Sequence, residues 1–253
     1  DLFGTESINL SPGASVSSRA VVGYPLGSLY GTGSQTNPDG SFILNSNGFP
    51  QITSSPIVLG DPNPDWRGGI SLSMRYKKFR LNAVLEHSEG GDFSPRTLWV
   101  LNRFGTTQET ANRLTLDQPL VNYRGNTIPA GTTVRGNVRD FGGGPVLLDE
   151  NWYRTGIGGG FGDNQAYNFS IADATFTKLR DLSLSYVIDT PLVTNIGLSD
   201  VIVSVTGRDL ININNVEGID PEINTKGVSV AQGVEYFTNP QTKGFLFSLT
   251  INY

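Results

Sequence analysis

The sequence predicts an all-β fold, part of a large antiparallel transmembrane β-barrel with long extracellular loops. Three observations lead there. The chain ends on a strictly alternating run in which Phe245, Phe247, Leu249, Ile251 and Tyr253 share one face and Leu246, Ser248, Thr250 and Asn252 share the other. No apolar run approaches the roughly 20 residues that a transmembrane helix needs, whereas a barrel strand needs only about 10, half of them apolar. Hydrophobic residues make up 37% of the chain, with 31 Gly and 14 Pro, a balance that suits short strands joined by long loops.

Taken in order, the first 60 residues are weakly periodic, with strand candidates around 15–23 and 42–59. The first clear strand is near 69–76, where Ile70, Leu72, Met74 and Tyr76 alternate with Ser71, Ser73 and Arg75. Lys77-Lys78 forms a very short turn, so the next strand, near 79–88, must be its antiparallel neighbour. There Phe79, Leu81, Ala83 and Leu85 alternate with Arg80, Asn82, Val84 and Glu86. Residues 89–170 lose periodicity and read as a long extracellular loop, which a barrel tolerates better than a compact soluble domain. Strands then follow near 174–188 and 200–207, joined through Asp189-Thr190-Pro191. A second polar loop near 208–243 precedes the last strand, 244–253.

If both long loops lie outside, Tyr76, Phe79, Tyr186 and Tyr253 all fall near the periplasmic ends, each on its strand's apolar face. That is the arrangement of a lipid-facing aromatic girdle. Arg75, Arg80 and Glu86 then face the lumen. A soluble or surface-attached all-β carbohydrate-binding module would alternate as well, but it has no reason to hold aromatics at one level. About five to eight strands could close only the smallest barrel. Two long loops point to a section of a larger one, and open strand edges in lipid predict that the piece does not stand alone.

Composition removes other classes. A net charge of −5 without a Lys/Arg cluster gives no nucleic-acid footprint. With no Cys, disulfides, thiol nucleophiles and Cys-ligated metals are excluded. His87 is the one His, too few for a histidine relay without converging partners. The stretch 227–231 matches a nucleophile elbow only loosely, and the glycines of 156–162 miss a phosphate loop because Phe161 takes the last position. Acidic groups at Asp61/Asp65, Glu86/Glu89/Asp92 and Asp220/Glu222 could pair for glycoside hydrolysis or Ca²⁺, but Asp beside Pro or Gly is ordinary turn chemistry. No enzyme and no cofactor are expected. The long loop carries Trp99, Tyr123, Trp152, Tyr153, Phe161 and Tyr167, rings that either contact a sugar or protein partner or pack the loop onto itself. The chain begins at Asp1 with no signal peptide, as a mature product or a fragment would.

Several motifs carry a resemblance. Asp173-Ala174-Thr175-Phe176-Thr177-Lys178-Leu179-Arg180-Asp181-Leu182-Ser183-Leu184-Ser185-Tyr186 resembles the late-strand signature of SusC/RagA-type TonB-linked outer-membrane transporters. So do Val205-Thr206-Gly207-Arg208-Asp209-Leu210, with Asp209 where Asn is common, and Gly218-Ile219-Asp220-Pro221-Glu222-Ile223-Asn224. The stretches 232–237 and 240–243, with 22–31 and 63–66 upstream, fall in the same order. The resemblance implies the C-terminal section of a barrel of about 22 strands. It further implies a plug domain beyond this chain, a SusD-like lipoprotein over the mouth, energy from TonB, and import of oligosaccharides or peptides across a bacterial outer membrane.

Overall fold

The computed structural model describes residues 4–11, 15–156, 165–216, 218–225, 227 and 232–253. The chain divides into two compact units, one of residues 64–90, 174–215 and 239–253, the other of residues 1–63, 91–173 and 216–238.

The first unit is a single antiparallel sheet. Its strands are β1 (Trp66–Tyr76), β2 (Phe79–Glu89), β3 (Phe176–Ile188), β4 (Asp200–Asn214) and β5 (Gly244–Asn252), in spatial order β5-β4-β3-β2-β1. Hairpin register is fixed from the turn outward: Tyr76 pairs with Phe79, and the ladder runs without a slip to Trp66 and Glu89. Lys77 adopts φ 54° so that the chain can reverse within two residues. Lys78 forms an ion pair with Asp189, tying this turn to the end of β3. The bond holds the Lys78 ammonium above its usual pKa and the Asp189 carboxyl below its own.

The alternation expected through 174–188 is interrupted at Arg180. Leu179 pairs with Leu85 of β2 and Asp181 with Val84, so β3 carries one extra residue there. On the other side Leu179 pairs with Ile211 and Asp181 with Arg208, so β4 carries one more again. The bulge propagates across both ladders and re-aims the side chains beyond it. It also explains why β4 continues to Asn214, well past the 200–207 expected from periodicity. Asp209 absorbs the extra length at φ 49°. A Cβ on Gly207 would lie 2.7 Å from the Leu210 side chain, so glycine leaves room for Leu210 to fold over it.

The second unit occupies most of what the sequence suggests as loop. A four-stranded antiparallel sheet joins Ser7–Ser11, Ser17–Val21, Ser28–Gly31 and Ile57–Gly60 in that order. The segment Asp92–Pro95 lies between Ala172–Asp173, antiparallel, and Val234–Glu235, parallel. Helix α1 (Arg96–Phe104) follows, closed by Gly105 in the left-handed region. No helix among the described residues is long and apolar enough to cross a membrane. Between these short elements, aliphatic contacts and a large aromatic cluster supply the order. Phe49, Phe141, Trp152 and Tyr153 are buried together, with Phe42, Trp99, Tyr123 and Phe169 packed against them. Ring centroids of 5.2 Å for Phe49–Tyr123 and 5.4 Å for Phe49–Trp152 are typical of edge and tilted aromatic packing.

Candidate functional site

The five-stranded sheet has two chemically opposite faces. Register and alternation put Ile70, Leu72, Met74 and Tyr76 of β1 on one face, with Phe79, Leu81 and Leu85 of β2. Leu179, Leu182, Leu184 and Tyr186 of β3 join them there. Val203, Val205, Ile211 and Ile213 of β4 continue the face, as do Phe245, Phe247, Leu249 and Ile251 of β5. Many of these are open to solvent: Ile70 is 68% exposed, Phe247 78% and Leu249 64%. Apolar side chains on this scale are not left in water by a stable soluble sheet.

The bulge preserves this face. Without it, strict alternation would carry Leu179 of β3 to the polar side, since Leu179 and Leu182 lie an odd number of positions apart. Because Arg180 is the extra residue, Leu179 stays level with Leu85 and Ile211 among the apolar side chains.

The opposite face is mostly polar, with Val84, Val187, Ile202 and Leu246 among its apolar members. Ser73 donates to Asn82 at 2.8 Å, Ser204 to Ser185 at 2.9 Å and Thr206 to Ser183 at 3.1 Å, a band of hydroxyl and amide groups that satisfy one another across strands. Toward the bulge the face becomes charged. Arg180 Nε lies 2.7 Å from Glu86 Oε2 and its Nη1 3.6 Å from Asp209 Oδ1, while Arg208 approaches Asp181 at 3.5 Å. Arg75 and Arg80 are directly paired near the turn, on this same face.

The aromatics expected to form a girdle sit as follows. Tyr76, Phe79 and Tyr186 form one row across β1, β2 and β3, with Phe79 and Tyr186 rings 4.7 Å apart. Tyr253 ends the chain and is 98% exposed. A second aromatic, not singled out by the sequence, lies at the far end of β1: Trp66 stacks on His87 at 4.8 Å. Its position was legible as the same parity as Tyr76, ten residues earlier in β1. His87 itself is engaged, its Nδ1 with Thr177 at 2.8 Å and its Nε2 with Glu89 at 2.9 Å.

Of the loop aromatics, which the sequence leaves either to contact a partner or to pack the loop onto itself, the structure describes all but Phe161. Trp152, Tyr153 and Tyr167 are buried, and Trp99 and Tyr123 pack against the aromatic cluster, so these rings order the unit instead of presenting open faces. Apolar side chains of an irregular segment have no regular ladder to organise them, and the rings cluster to leave water. Trp99 donates to the Ser170 carbonyl at 3.1 Å. Tyr153 accepts from Asn137 at 2.7 Å and donates to Glu109 at 3.1 Å, and burial drives its phenol pKa strongly upward. Phe161 and the serine of the 227–231 stretch lie outside the described residues.

The acidic groups are used structurally. Asp92 accepts from the Asp61 amide at 2.8 Å and is half-buried, which raises its carboxyl pKa, with Asp61 and Asp173 adding repulsion. Asp220 accepts from the Glu222 amide at 3.0 Å as a turn brace. Glu235, which the sequence does not single out, is fully buried and takes hydrogen bonds from Thr97 and Thr238. No group of metal-ligating side chains is assembled among the described residues.

An open sheet with one long apolar face, one polar face and a bulge that keeps them apart defines a section of the wall of a large antiparallel β-barrel. No family model matches the chain. It is 23% identical over 224 residues to the TonB-dependent receptor P3 of Formosa agariphila, covering 86% of this chain and 19% of that receptor. Among solved structures, the RagAB peptide transporter matches with a TM-score of 0.57 at 17% identity, over 99% of this chain and 25% of that one. The RagAB peptide importer in its closed-closed state gives 0.55 at 17% identity, over the same shares of the two chains. The chain therefore spans about a fifth of the curated relative and a quarter of the solved chains. It resembles the SusC/RagA-type TonB-dependent transporters and has the fold of part of the RagA barrel.

Proposed function

We propose that this chain is the C-terminal section of the barrel of a TonB-dependent outer-membrane importer, with the apolar face of β1–β5 against lipid and the polar face toward the lumen. The observation that carries the reading is the long apolar face, kept whole by a bulge without which Leu179 would point inward. Length agrees. The 11 residues of β1, rising about 3.4 Å each and tilted about 40°, reach roughly 26 Å through a bilayer, against an apolar band of about 25 Å in such barrels. Trp66 and Tyr76 then mark the two interfaces of that band.

The rest of the machine follows from the resemblance. The remaining barrel strands and a plug complete the channel, a SusD-like surface lipoprotein covers the outer mouth, and TonB supplies energy through the plug. Oligosaccharides or peptides are the substrates, captured between lid and loops and admitted when the plug moves. In this reading the chain's own part is to form a section of the wall.

The reading is tested by extracting the protein from membranes in mild detergent and measuring its mass, native and then denatured. Recovery from the outer-membrane fraction, within a species much larger than 27.3 kDa, supports it. A monodisperse 27.3 kDa species needing no detergent would favour the soluble β-module instead.

A further inference from the structure

A cleft of about 450 Å³ opens beside the end of α1, where the residues following α1 meet the strand Thr133–Arg135 and the segment Asp149–Tyr153. Its volume is in the range of small-ligand sites. Hydrogen-bond accounting within it is lopsided. Asp149 is consumed: Oδ1 accepts from the Asn151 amide at 2.9 Å, and Oδ2 accepts from Asn122 at 2.8 Å and from the Asn151 side chain at 3.2 Å. Glu150 is drawn off by Arg154, 2.8 Å away.

The donors are different. Arg103 places one N–H on the Arg154 carbonyl at 2.9 Å, and Arg135 donates to the carbonyls of Thr110 and Gly105. Neither guanidinium meets a carboxylate among the described residues, and most of their five N–H groups each remain to be used. Asn102 also lines the cleft at 1% exposure. Its Oδ1 accepts from Thr107, while its Nδ2 finds no partner among the described residues. An unpaired buried donor is costly, and uncompensated guanidinium groups favour planar anionic acceptors.

We propose that this cleft binds the carboxylate group of a small organic ligand, held by Arg103 and Arg135 with the Asn102 amide beside them and the exposed Phe104 ring contacting its apolar part. The assignment rests on the import reading only for where such a group comes from: the C-terminus of a peptide or an acidic sugar. The cleft's binding stands or falls separately from that reading.

The test is calorimetric titration of the intact protein in detergent at neutral pH. The probes are trialanine, its C-terminal amide, galacturonate and galactose. The expected result is that at least one free acid binds on the order of tenfold or more tightly than its neutral counterpart, since a charge-assisted bond is about twice as strong as a neutral one and that difference converts to about tenfold in affinity. Whichever acid binds identifies the source. Arg103→Gln should weaken that acid on the order of tenfold while the thermal midpoint stays unchanged, and Arg135→Lys, which keeps the charge, should weaken it less. The proposal is overturned if no acid binds at millimolar concentration, if amide or galactose binds equally well, or if Arg103→Gln leaves the acid's affinity unchanged.

Discussion

Replacing Leu249 by Arg separates a lipid-facing sheet from any other kind. Leu249 lies four residues from Phe245 and four from Tyr253, about 13 Å along the strand from each at roughly 3.3 Å per residue. At a tilt of about 40° that is near 10 Å along the membrane normal, which places Leu249 close to mid-depth. An arginine there costs about 2–4 kcal/mol, falling to about 0–1 near the interfaces. The folded-to-unfolded ratio then drops roughly 30- to 700-fold relative to the parent. Ser248 supplies the control, being adjacent in sequence and opposite in face, paired in register with Ser204 on the hydroxyl-lined side. Ser248→Arg should cost within about 0.5 kcal/mol, as for a surface substitution. The assay is denaturant unfolding of the protein in vesicles, followed by the loss of heat-modifiable mobility. Equal shifts for the two variants, or no shift for Leu249→Arg, would show that this face does not meet lipid.

Three further outcomes are expected. Glu86→Gln removes the carboxylate 2.7 Å from Arg180 in a pair that is mostly shielded, and should cost about 1–2 kcal/mol in denaturant midpoint, between exposed and buried pairs; an unchanged midpoint would make the pair incidental. Gly156→Ala places a methyl 2.4 Å from the buried Trp152 ring, so overpacking should cost about 1–3 kcal/mol and shift tryptophan emission; parent-like emission and stability would show that the ring has room to move. Burial raises the Asp92 pKa above its unfolded value, so its penalty is absent in strong acid and grows as pH rises through the folded pKa. Asp92→Asn should therefore melt higher than the parent at neutral pH and equally at low pH, and a variant that melts lower at neutral pH would show the charge to be stabilising.

The strands were legible where one face is apolar and the other polar, because such alternation has no helical counterpart. Ile70 to Tyr76, Phe79 to Leu85 and Phe245 to Tyr253 show it without interruption. What alternation hides is the bulge. Leu179 and Leu182 lie three apart in a strand whose period is two, a visible signal that strict parity passes over. The Gly207-Arg208-Asp209-Leu210 element reads as a motif in the sequence but has a plain mechanical role. Gly207 admits Leu210 over its α-carbon, and Asp209 accepts the left-handed backbone that most side chains resist. The aromatic segment was opaque for another reason. Its core is built from residues far apart in sequence, Phe49 with Phe141 and Trp152, and no local period announces such a cluster. The cleft beside α1 was illegible too, since its donors come from α1 and from the Thr133–Arg135 strand, which only the folded unit brings together.

Single cysteines would read directly which side chains meet lipid, since this stretch contains none of its own. Each would be labelled with a fluorophore in the protein reconstituted with brominated lipid, and quenching read position by position. Strong quenching is predicted at Leu85, Leu179, Leu182, Leu184 and Leu249, and little at Lys178, Ser183, Ser185 and Ser248. The parity must therefore invert across Arg180. Quenching that is uniform, favours the serines, or runs through the bulge without changing parity would contradict a lipid-facing wall.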